Sequence, residues 1–126
     1  MYHLGLVALG GGLGAGLRHL VNVAALRLFG AGFPVGTLVV NVGGGLLMGL
    51  VAGFFALRFE GGGSNLRLFL ATGILGGFTT FSAFSLDAVL LWERGEAAAA
   101  LAYVFASVML SILALVAGLS LMRAIA

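Results

Sequence analysis

The chain has 126 residues, of which 62% are hydrophobic and only 8% are charged. This composition is typical of an integral membrane protein and excludes a soluble globular domain, because so few charges cannot keep that much apolar surface in water. A net charge of +2 from six arginines and four acids excludes a nucleic-acid-binding protein, which needs a basic stripe. The absence of cysteine excludes disulfides and thiolate metal sites.

Four apolar segments, each long enough to cross a bilayer as a helix, follow one another along the chain. They cover residues 4–29, 35–57, 66–92 and 97–122. The joints between them are short and rich in turn-forming residues, and the second contains Gly61, Gly62, Gly63 and Ser64. The sequence therefore predicts an all-α fold with one four-helix transmembrane domain over residues 1–126, antiparallel neighbouring helices and both termini on one side of the membrane.

The arginines are divided almost evenly between the two ends of these helices. Arg58, Arg67 and Arg123 lie on the side of the termini, Arg27 and Arg94 lie on the other side, and Arg18 lies within the first helix. Orientation is normally set by an excess of arginine and lysine in the cytoplasmic loops. So small a bias predicts insertion in both orientations, and therefore an antiparallel dimer.

Glycines recur at four-residue intervals on the first two helices. These glycines are Gly45, Gly49 and Gly53 on the second helix, and Gly10 with Gly14 and Gly12 with Gly16 on the first. Small residues at this spacing let membrane helices approach closely, so we expect packing faces here. We reject a nucleotide-binding interpretation of the first glycines, because that fingerprint needs a preceding strand and an acidic residue about 20 positions further on.

The third apolar segment contains a polar stretch that reads Gly76-Gly77-Phe78-Thr79-Thr80-Phe81-Ser82-Ala83-Phe84-Ser85. Unwound backbone at membrane depth survives only where it is buried in protein or lines a cavity, because each unsatisfied amide or carbonyl in hydrocarbon costs several kcal/mol. The stretch therefore predicts a helix that is broken at mid-membrane and that handles an ion.

Polar residues of the second and fourth helices are spaced four apart, so each set shares one helical face. They are Thr37 and Asn41 on the second helix, and Tyr103, Ser107 and Ser111 on the fourth. Such residues often only bond across helices, but a stripe that faces a broken helix indicates an ion pathway. The Asn41 amide has two N–H donors for an anion. Phenylalanine rings also have a positive edge, although packing is their commoner use.

Charged residues within the spans are few. We expect Arg18 to pair or to reach the interface with its head group. Asp87, near the end of the third helix, is expected to be solvated or paired with an arginine. His3 and His19 are not spaced as metal ligands and are interpreted as interfacial. Because no nucleophile and base are suitably paired, the sequence predicts that the protein is not an enzyme.

In order and spacing, these motifs resemble the fluoride channel family known as Fluc or CrcB. The matching residues are Gly11-Gly12 to Arg18 on the first helix, Gly36-Thr37 with Asn41 and Gly43 on the second, and Gly76 to Phe84 on the third. The resemblance implies a fluoride-selective channel of the inner (plasma) membrane that exports cytoplasmic fluoride passively and so gives fluoride resistance. It also implies a multi-pass, dual-topology, antiparallel homodimer in membrane lipid.

The resemblance assigns roles to particular residues by position. It implies that the fluoride pore is lined by Asn41, Phe81 and Phe84, with Thr37 near its course and Tyr103, Ser107 and Ser111 along a polar track. It implies a vestibule position for Arg18, and a central structural sodium ion held by the backbone carbonyls of Gly76 and Thr79 from both subunits. The chain departs from the family at Ala83, where threonine is common.

Two other classes of protein share some of these features. A small dual-topology proton-coupled drug exporter has four helices too, but it requires an ionisable carboxylate within the membrane, and the first helix has none. A non-conducting helical assembly factor explains the glycine faces but not the polar stretch in the third helix.

The balanced arginine distribution gives a testable prediction. A cysteine introduced by Ser64→Cys should be labelled by membrane-impermeant reagents from both sides of the membrane, because the chain inserts in both orientations. The measurement is accessibility labelling in intact cells and in inverted vesicles. Labelling from one side only contradicts the antiparallel dimer.

Overall fold

The computed structural model describes residues 2–58 and 64–125, and of residues 57, 58 and 64 only the backbone. The described elements are all helices: α1 (Tyr2–Phe29), α2 (Val35–Arg58), α3 (Ser64–Arg67), a π-helical segment π1 (Leu68–Leu75), α4 (Gly76–Phe78), α5 (Phe81–Glu93) and α6 (Ala97–Ile125). The predicted glycine loop at 61–63 lies outside the described residues.

Four stretches are long and apolar enough to cross a membrane, and they begin and end within three residues of the predicted bounds. They are Tyr2–Phe29, Val35–Ala56, Asn65–Glu93 and Ala97–Ile125, so α3, π1, α4 and α5 together make the third span. Large apolar side chains point outward on all of them; Leu4 is 62% exposed and Leu113 is 56% exposed. Such surfaces suit lipid, so the chain is a multi-pass membrane protein.

Spans two and four pack closely through the glycine face of α2. A Cβ atom added at Gly45 would lie 2.7 Å from the Ser111 carbonyl oxygen, and one at Gly53 would lie 2.8 Å from Cβ of Met122. Because the partner numbers rise with the glycine numbers, α2 and α6 run in the same direction. The predicted packing face of the second helix is confirmed.

Spans one and three pack in the same manner. A Cβ atom added at Gly10 would lie 2.9 Å from Cα of Gly73, and one at Gly14 would overlap the Ile74 carbonyl oxygen. The contact falls on π1, and the backbones approach closely because Gly10, Gly14 and Gly73 place no side chain between them. The predicted role of Gly10 and Gly14 is confirmed, and α1 runs parallel to the third span.

The prediction of a second packing face on α1 is wrong for the single subunit. A Cβ atom at Gly12 or Gly16 would meet no other atom within 4 Å among the described residues. Two residues correspond to about 200° of rotation around an α-helix. The pairs Gly10/Gly14 and Gly12/Gly16 therefore face nearly opposite directions, and one neighbouring helix can contact only one of them.

Two glycines in left-handed backbone conformations end helices. Gly30 (φ 75°) follows α1 and donates its N–H to the Leu26 carbonyl at 2.9 Å; Gly95 (φ 83°) follows α5 and donates to the Trp92 carbonyl at 3.1 Å. Glycine reaches this conformation without the steric cost of a side chain. Pro34 lies directly before α2, where a residue without an N–H group costs little because the first N–H groups of a helix have no helical partner. These two turns allow neighbouring spans to be antiparallel.

A small aromatic core lies at the end of the molecule where these turns meet. Tyr103 is fully buried and its ring packs against Phe84 and Phe33, with centroid distances of 5.3 and 5.5 Å. Leu91 and Ala100 complete the buried cluster between α5 and α6. The cluster holds α5 against α6, and it thereby fixes the second half of the third span.

The α2–α6 contact predicts a large difference between two alanine substitutions in α2. In Gly49→Ala the new methyl group overlaps the Leu115 carbonyl oxygen, so we expect a destabilisation of about 1–3 kcal/mol. In Gly43→Ala the methyl group meets no atom of the described subunit within 4 Å, and alanine is a better helix former than the glycine that it replaces. The measurement is denaturant unfolding in detergent micelles. Equal stability of the two variants would contradict the contact.

Candidate functional site

The site is organised around two extended residues in the third span. Thr79 has φ −83° and ψ 156°, Thr80 has φ −152° and ψ 121°, and both lie between α4 and α5. Beyond the Thr79 N–H, which still donates to the carbonyl four residues before it, extended backbone cannot continue the i to i−4 hydrogen-bond ladder of a helix. The amides and carbonyls around these residues therefore need other partners.

Local bonds satisfy part of this requirement. The N–H and the hydroxyl of Thr79 both donate to the Leu75 carbonyl oxygen, each at 3.0 Å. The Thr80 hydroxyl accepts from the Ala83 N–H at 3.1 Å and so caps the first turn of α5. Gly44 of α2 makes room for Thr79, because a Cβ atom there would overlap the threonine methyl group.

Asn41 of α2 supplies the bonds that Thr80 lacks. Its Nδ2 donates to the Thr80 carbonyl oxygen at 3.0 Å, and its Oδ1 accepts from the Thr80 N–H at 2.8 Å. The side-chain amide thus pairs with both polar groups of one backbone residue. One of its two N–H groups is used in this pair, so one remains for another acceptor.

Arg18 of α1 reaches the same region from the other side. Its Nε donates to the Gly77 carbonyl oxygen at 3.2 Å. This carbonyl lies at the C-terminal end of α4, where a cation also interacts favourably with the partial negative charge of the last turn. The expectation that Arg18 pairs is therefore met by a backbone carbonyl in place of a carboxylate.

A cavity of about 290 Å³ opens beside the two threonines. It is lined by Asn41, Thr79, Thr80, Phe81, Phe84, Ser107, Val108, Ser111 and Ile112. Five of the residues that the resemblance assigned to a pore therefore meet at one cavity, although they come from three separate spans. Its walls combine one amide, several hydroxyls and two aromatic rings, and no charged side chain lines it.

Two hydroxyl groups on the α6 wall of this cavity are buried without a partner among the described residues. They belong to Ser107 and Ser111. A buried hydroxyl that lacks a partner costs free energy, and such groups in native structures indicate a water, an ion or another ligand. Both can donate to an anion, since a hydroxyl hydrogen rotates to suit its acceptor.

The two phenylalanines of the cavity differ in exposure. The ring of Phe84 is 8% exposed and packs on Tyr103, whereas the ring of Phe81 is 76% exposed; their centroids are 5.4 Å apart. Packing explains Phe84 without any ion. It does not explain Phe81, because this ring has little to pack on within the subunit.

Thr37 and Tyr103 do not line the cavity with the other predicted pore residues. The Tyr103 hydroxyl donates to Oδ2 of Asp87 at 3.2 Å. The buried Thr37 side chain lies beside the Tyr103 hydroxyl. Asp87 is partly exposed and has a tyrosine partner; of the two expected environments, solvated or paired with an arginine, the arginine pair is not found among the described residues. Arg94, which shares a cavity of about 120 Å³ with Asp87, pairs with Glu96 at 2.7 Å.

The two carbonyls assigned to sodium accept none of the side-chain or turn hydrogen bonds found among residues 2–58 and 64–125. Gly76 lies on the exposed side of α4, and a Cβ atom there would meet only the Ala71 carbonyl oxygen, at 3.6 Å. The close approach is at Gly77, whose added Cβ would overlap the Gly11 carbonyl oxygen. A Cβ atom at position 76 is therefore compatible with the conformation of the subunit.

Sequence reasoning missed Thr80 as a site residue. Its backbone binds Asn41 and its hydroxyl caps α5, so it links two walls of the cavity. A threonine directly before the first residue of a helix is a recognisable N-cap signal. The amide pairing leaves no such pattern, because 39 residues separate the two partners.

Fold and site together define a class: a four-span membrane protein whose third span has two extended residues beside a neutral, donor-rich cavity. The chain belongs to the family described as CrcB-like protein, Camphor Resistance (CrcB), whose model matches residues 5–119. The resemblance seen in the sequence motifs is thereby confirmed.

Several relatives cover nearly the whole chain. A protein from Chelativorans sp. (strain BNC1) is 60% identical over 125 residues, which is 99% of each chain. One from Rhodopseudomonas palustris (strain BisB5) is 60% identical over 121 residues, 95% of this chain and 96% of the relative. Both are named fluoride-specific ion channel FluC. This family is not enzymatic, so the prediction that the protein is not an enzyme is confirmed.

The backbone contact at Gly77 predicts opposite outcomes for two adjacent substitutions. Gly77→Ala should destabilise the subunit by about 1–3 kcal/mol, because the methyl group must displace the α1 backbone. Gly76→Ala should leave the stability of the subunit within about 0.5 kcal/mol of the parent, since its methyl group has room. Unfolding of both variants in detergent, at a protein dilution that favours monomers, makes the comparison. A more harmful Gly76→Ala contradicts this assignment.

Proposed function

We propose that this chain is the subunit of a fluoride-selective channel that lets cytoplasmic fluoride leave the cell passively. The observation that carries the proposal is the cavity in which Asn41 and Phe81 meet two serine hydroxyls that have no partner among the described residues. Its relatives' shared name, fluoride-specific ion channel, supports the choice of ion. The drug-exporter alternative lacks support, because no carboxylate lines this cavity.

The chemistry of the lining suits a small, strongly hydrated anion. An anion that enters a narrow site must exchange its water for other donors, and neutral donors hold it without trapping it as a fixed cation would. The remaining Asn41 N–H, the hydroxyls of Ser107 and Ser111, and the positive ring edges of Phe81 and Phe84 are such donors. A narrow pathway also excludes larger halides.

Passive conduction is sufficient for resistance to fluoride. Hydrogen fluoride crosses membranes as a neutral acid and ionises in the more neutral cytoplasm, where fluoride then accumulates. A selective channel in the inner (plasma) membrane lets the anion flow down its own gradient, so no energy source is required. We place the extended residues Thr79 and Thr80 at mid-membrane in this channel.

We further propose that the channel is an antiparallel homodimer in which two copies cover each other's exposed site residues. The Phe81 ring is 76% exposed in one subunit, and Gly76 and the Gly12/Gly16 pair lie open as well. A second copy would complete the wall that a single subunit lacks. Insertion in both orientations, as the arginine distribution predicts, would supply that copy.

A structural sodium ion fits the same interface. Sodium is a hard cation that takes oxygen ligands, and unwound backbone in membrane proteins supplies them as carbonyls. The carbonyls of Gly76 and Thr79 accept none of the side-chain or turn bonds described above, and Gly76 faces outward. Four carbonyls, two from each subunit, would hold the ion, and the bound ion would link the two subunits.

The proposal predicts selective flux that depends on the Phe81 ring. Purified protein in liposomes should release fluoride much faster than chloride, measured with ion-selective electrodes. Phe81→Ile should lower fluoride release on the order of tenfold or more, because isoleucine keeps bulk but has no positive edge.

Two variants control for non-specific effects. Phe29→Ile removes an exposed ring at the end of α1, and Ser120→Ala removes a hydroxyl on the outside of α6; both should conduct like the parent. Equal fluoride and chloride release by the parent contradicts the proposed function. Normal conduction by Phe81→Ile shows that this ring only packs.

A further inference from the structure

We propose that Asn41 is a positioning residue as well as an anion ligand: its side-chain amide holds the extended backbone of Thr80 in place and so fixes the start of α5. The proposal rests on the proposed function for its consequence in conduction. The bonding itself stands on the geometry of the two residues. Two hydrogen bonds, of 2.8 and 3.0 Å, join one amide to both backbone groups of Thr80.

The pairing replaces what the helix loses at this point. Thr80 is extended, and its N–H donates to the Asn41 side chain and not to a helical carbonyl; in hydrocarbon an N–H group without a partner is costly. A side-chain amide has the same donor and acceptor as a backbone amide, so it can satisfy both at once. A hydroxyl or a carboxylate at position 41 would match Thr80 less well, because neither has an N–H donor and a carbonyl acceptor side by side.

Fixing Thr80 also fixes the residues that follow it. The Thr80 hydroxyl caps α5 through the Ala83 N–H, and α5 begins at Phe81. The orientation of the exposed Phe81 ring therefore depends on the backbone that Asn41 holds. The buried Phe84 has a second anchor, because it packs on Tyr103.

The same two bonds lock the orientation of the Asn41 amide. If the amide flipped, Nδ2 would face the Thr80 N–H and Oδ1 would face the Thr80 carbonyl, so both bonds would be lost. The second N–H of Nδ2 is therefore held in one direction at the cavity wall. Because this N–H is already oriented, it can bind an arriving anion without a change in the Asn41 side chain.

The experiment measures backbone protection separately from flux. In the parent, the Thr80 amide should exchange its hydrogen slowly, followed by NMR in detergent micelles or nanodiscs. Asn41→Ala should speed this exchange by about tenfold or more, because the acceptor of the Thr80 N–H is removed. Ser111→Ala is the matched variant: it deletes a donor from the opposite wall, so fluoride release should fall while exchange at Thr80 stays as in the parent.

A backbone substitution tests the bond without altering the Asn41 side chain. Replacing the Thr80 amide by an ester, through incorporation of the α-hydroxy analogue of threonine, removes the N–H that Asn41 accepts and also makes the preceding Thr79 carbonyl a weaker acceptor. We expect lower fluoride release, by about tenfold. The same ester at Ser82, in the first turn of α5 where helical N–H groups have no helical partner, should conduct nearly like the parent.

The outcomes distinguish this inference from the proposed function. Unchanged Thr80 exchange in Asn41→Ala, or normal conduction by the Thr80 ester, overturns the positioning role and leaves Asn41 as an anion ligand only. A parent that conducts no fluoride overturns the proposed function, yet the exchange measurement still decides whether Asn41 holds Thr80.

Discussion

The structure depends on one constraint: backbone amides and carbonyls within a membrane must find partners in the protein. The third span contains two extended residues, Thr79 and Thr80, at which the helices no longer supply all of those partners. Arg18 from α1 and Asn41 from α2 each reach a carbonyl near this point, at Gly77 and Thr80 respectively. The interruption is thus held from two sides, and the cavity lies beside it.

Close helix contact makes these long-range bonds possible. Glycines of α1 and α2 bring the first span onto the third and the second onto the fourth with almost no side chain between the backbones. Asn41 lies on the same helix as the glycine face, four residues before Gly45. The packing of α2 on α6 therefore also sets Asn41 opposite Ser107 and Ser111 in the cavity.

Two groups of residues have no contact within the subunit that explains them. The Phe81 ring, Gly76 and the Gly12/Gly16 pair are exposed, although each has a chemistry that suits contact with protein. Among the residues that the structure describes, the two buried serine hydroxyls have no hydrogen-bond partner, and they face the cavity. In the proposed channel, a second copy would cover the exposed residues, and an anion would bind the serine hydroxyls.

The sequence by itself determined the four spans and the location of the polar stretch in the third span. Hydrophobic length and turn residues decide those features locally, and the motif around Thr79 and Phe81 is specific enough to indicate the family. Glycine spacing also predicted the contact faces at Gly10/Gly14 and on α2. It could not show that Gly12 and Gly16 face away, because spacing along a helix does not tell which side meets a neighbour.

Only the tertiary structure decided which groups meet. The bond from Tyr103 to Asp87, the close approach at Gly77 and the pairing of Asn41 with Thr80 join residues 16 to 66 positions apart. Such contacts depend on how far each helix is rotated and shifted against its neighbours. That register is set by the summed packing of whole helices, so it leaves no pattern at the individual residues.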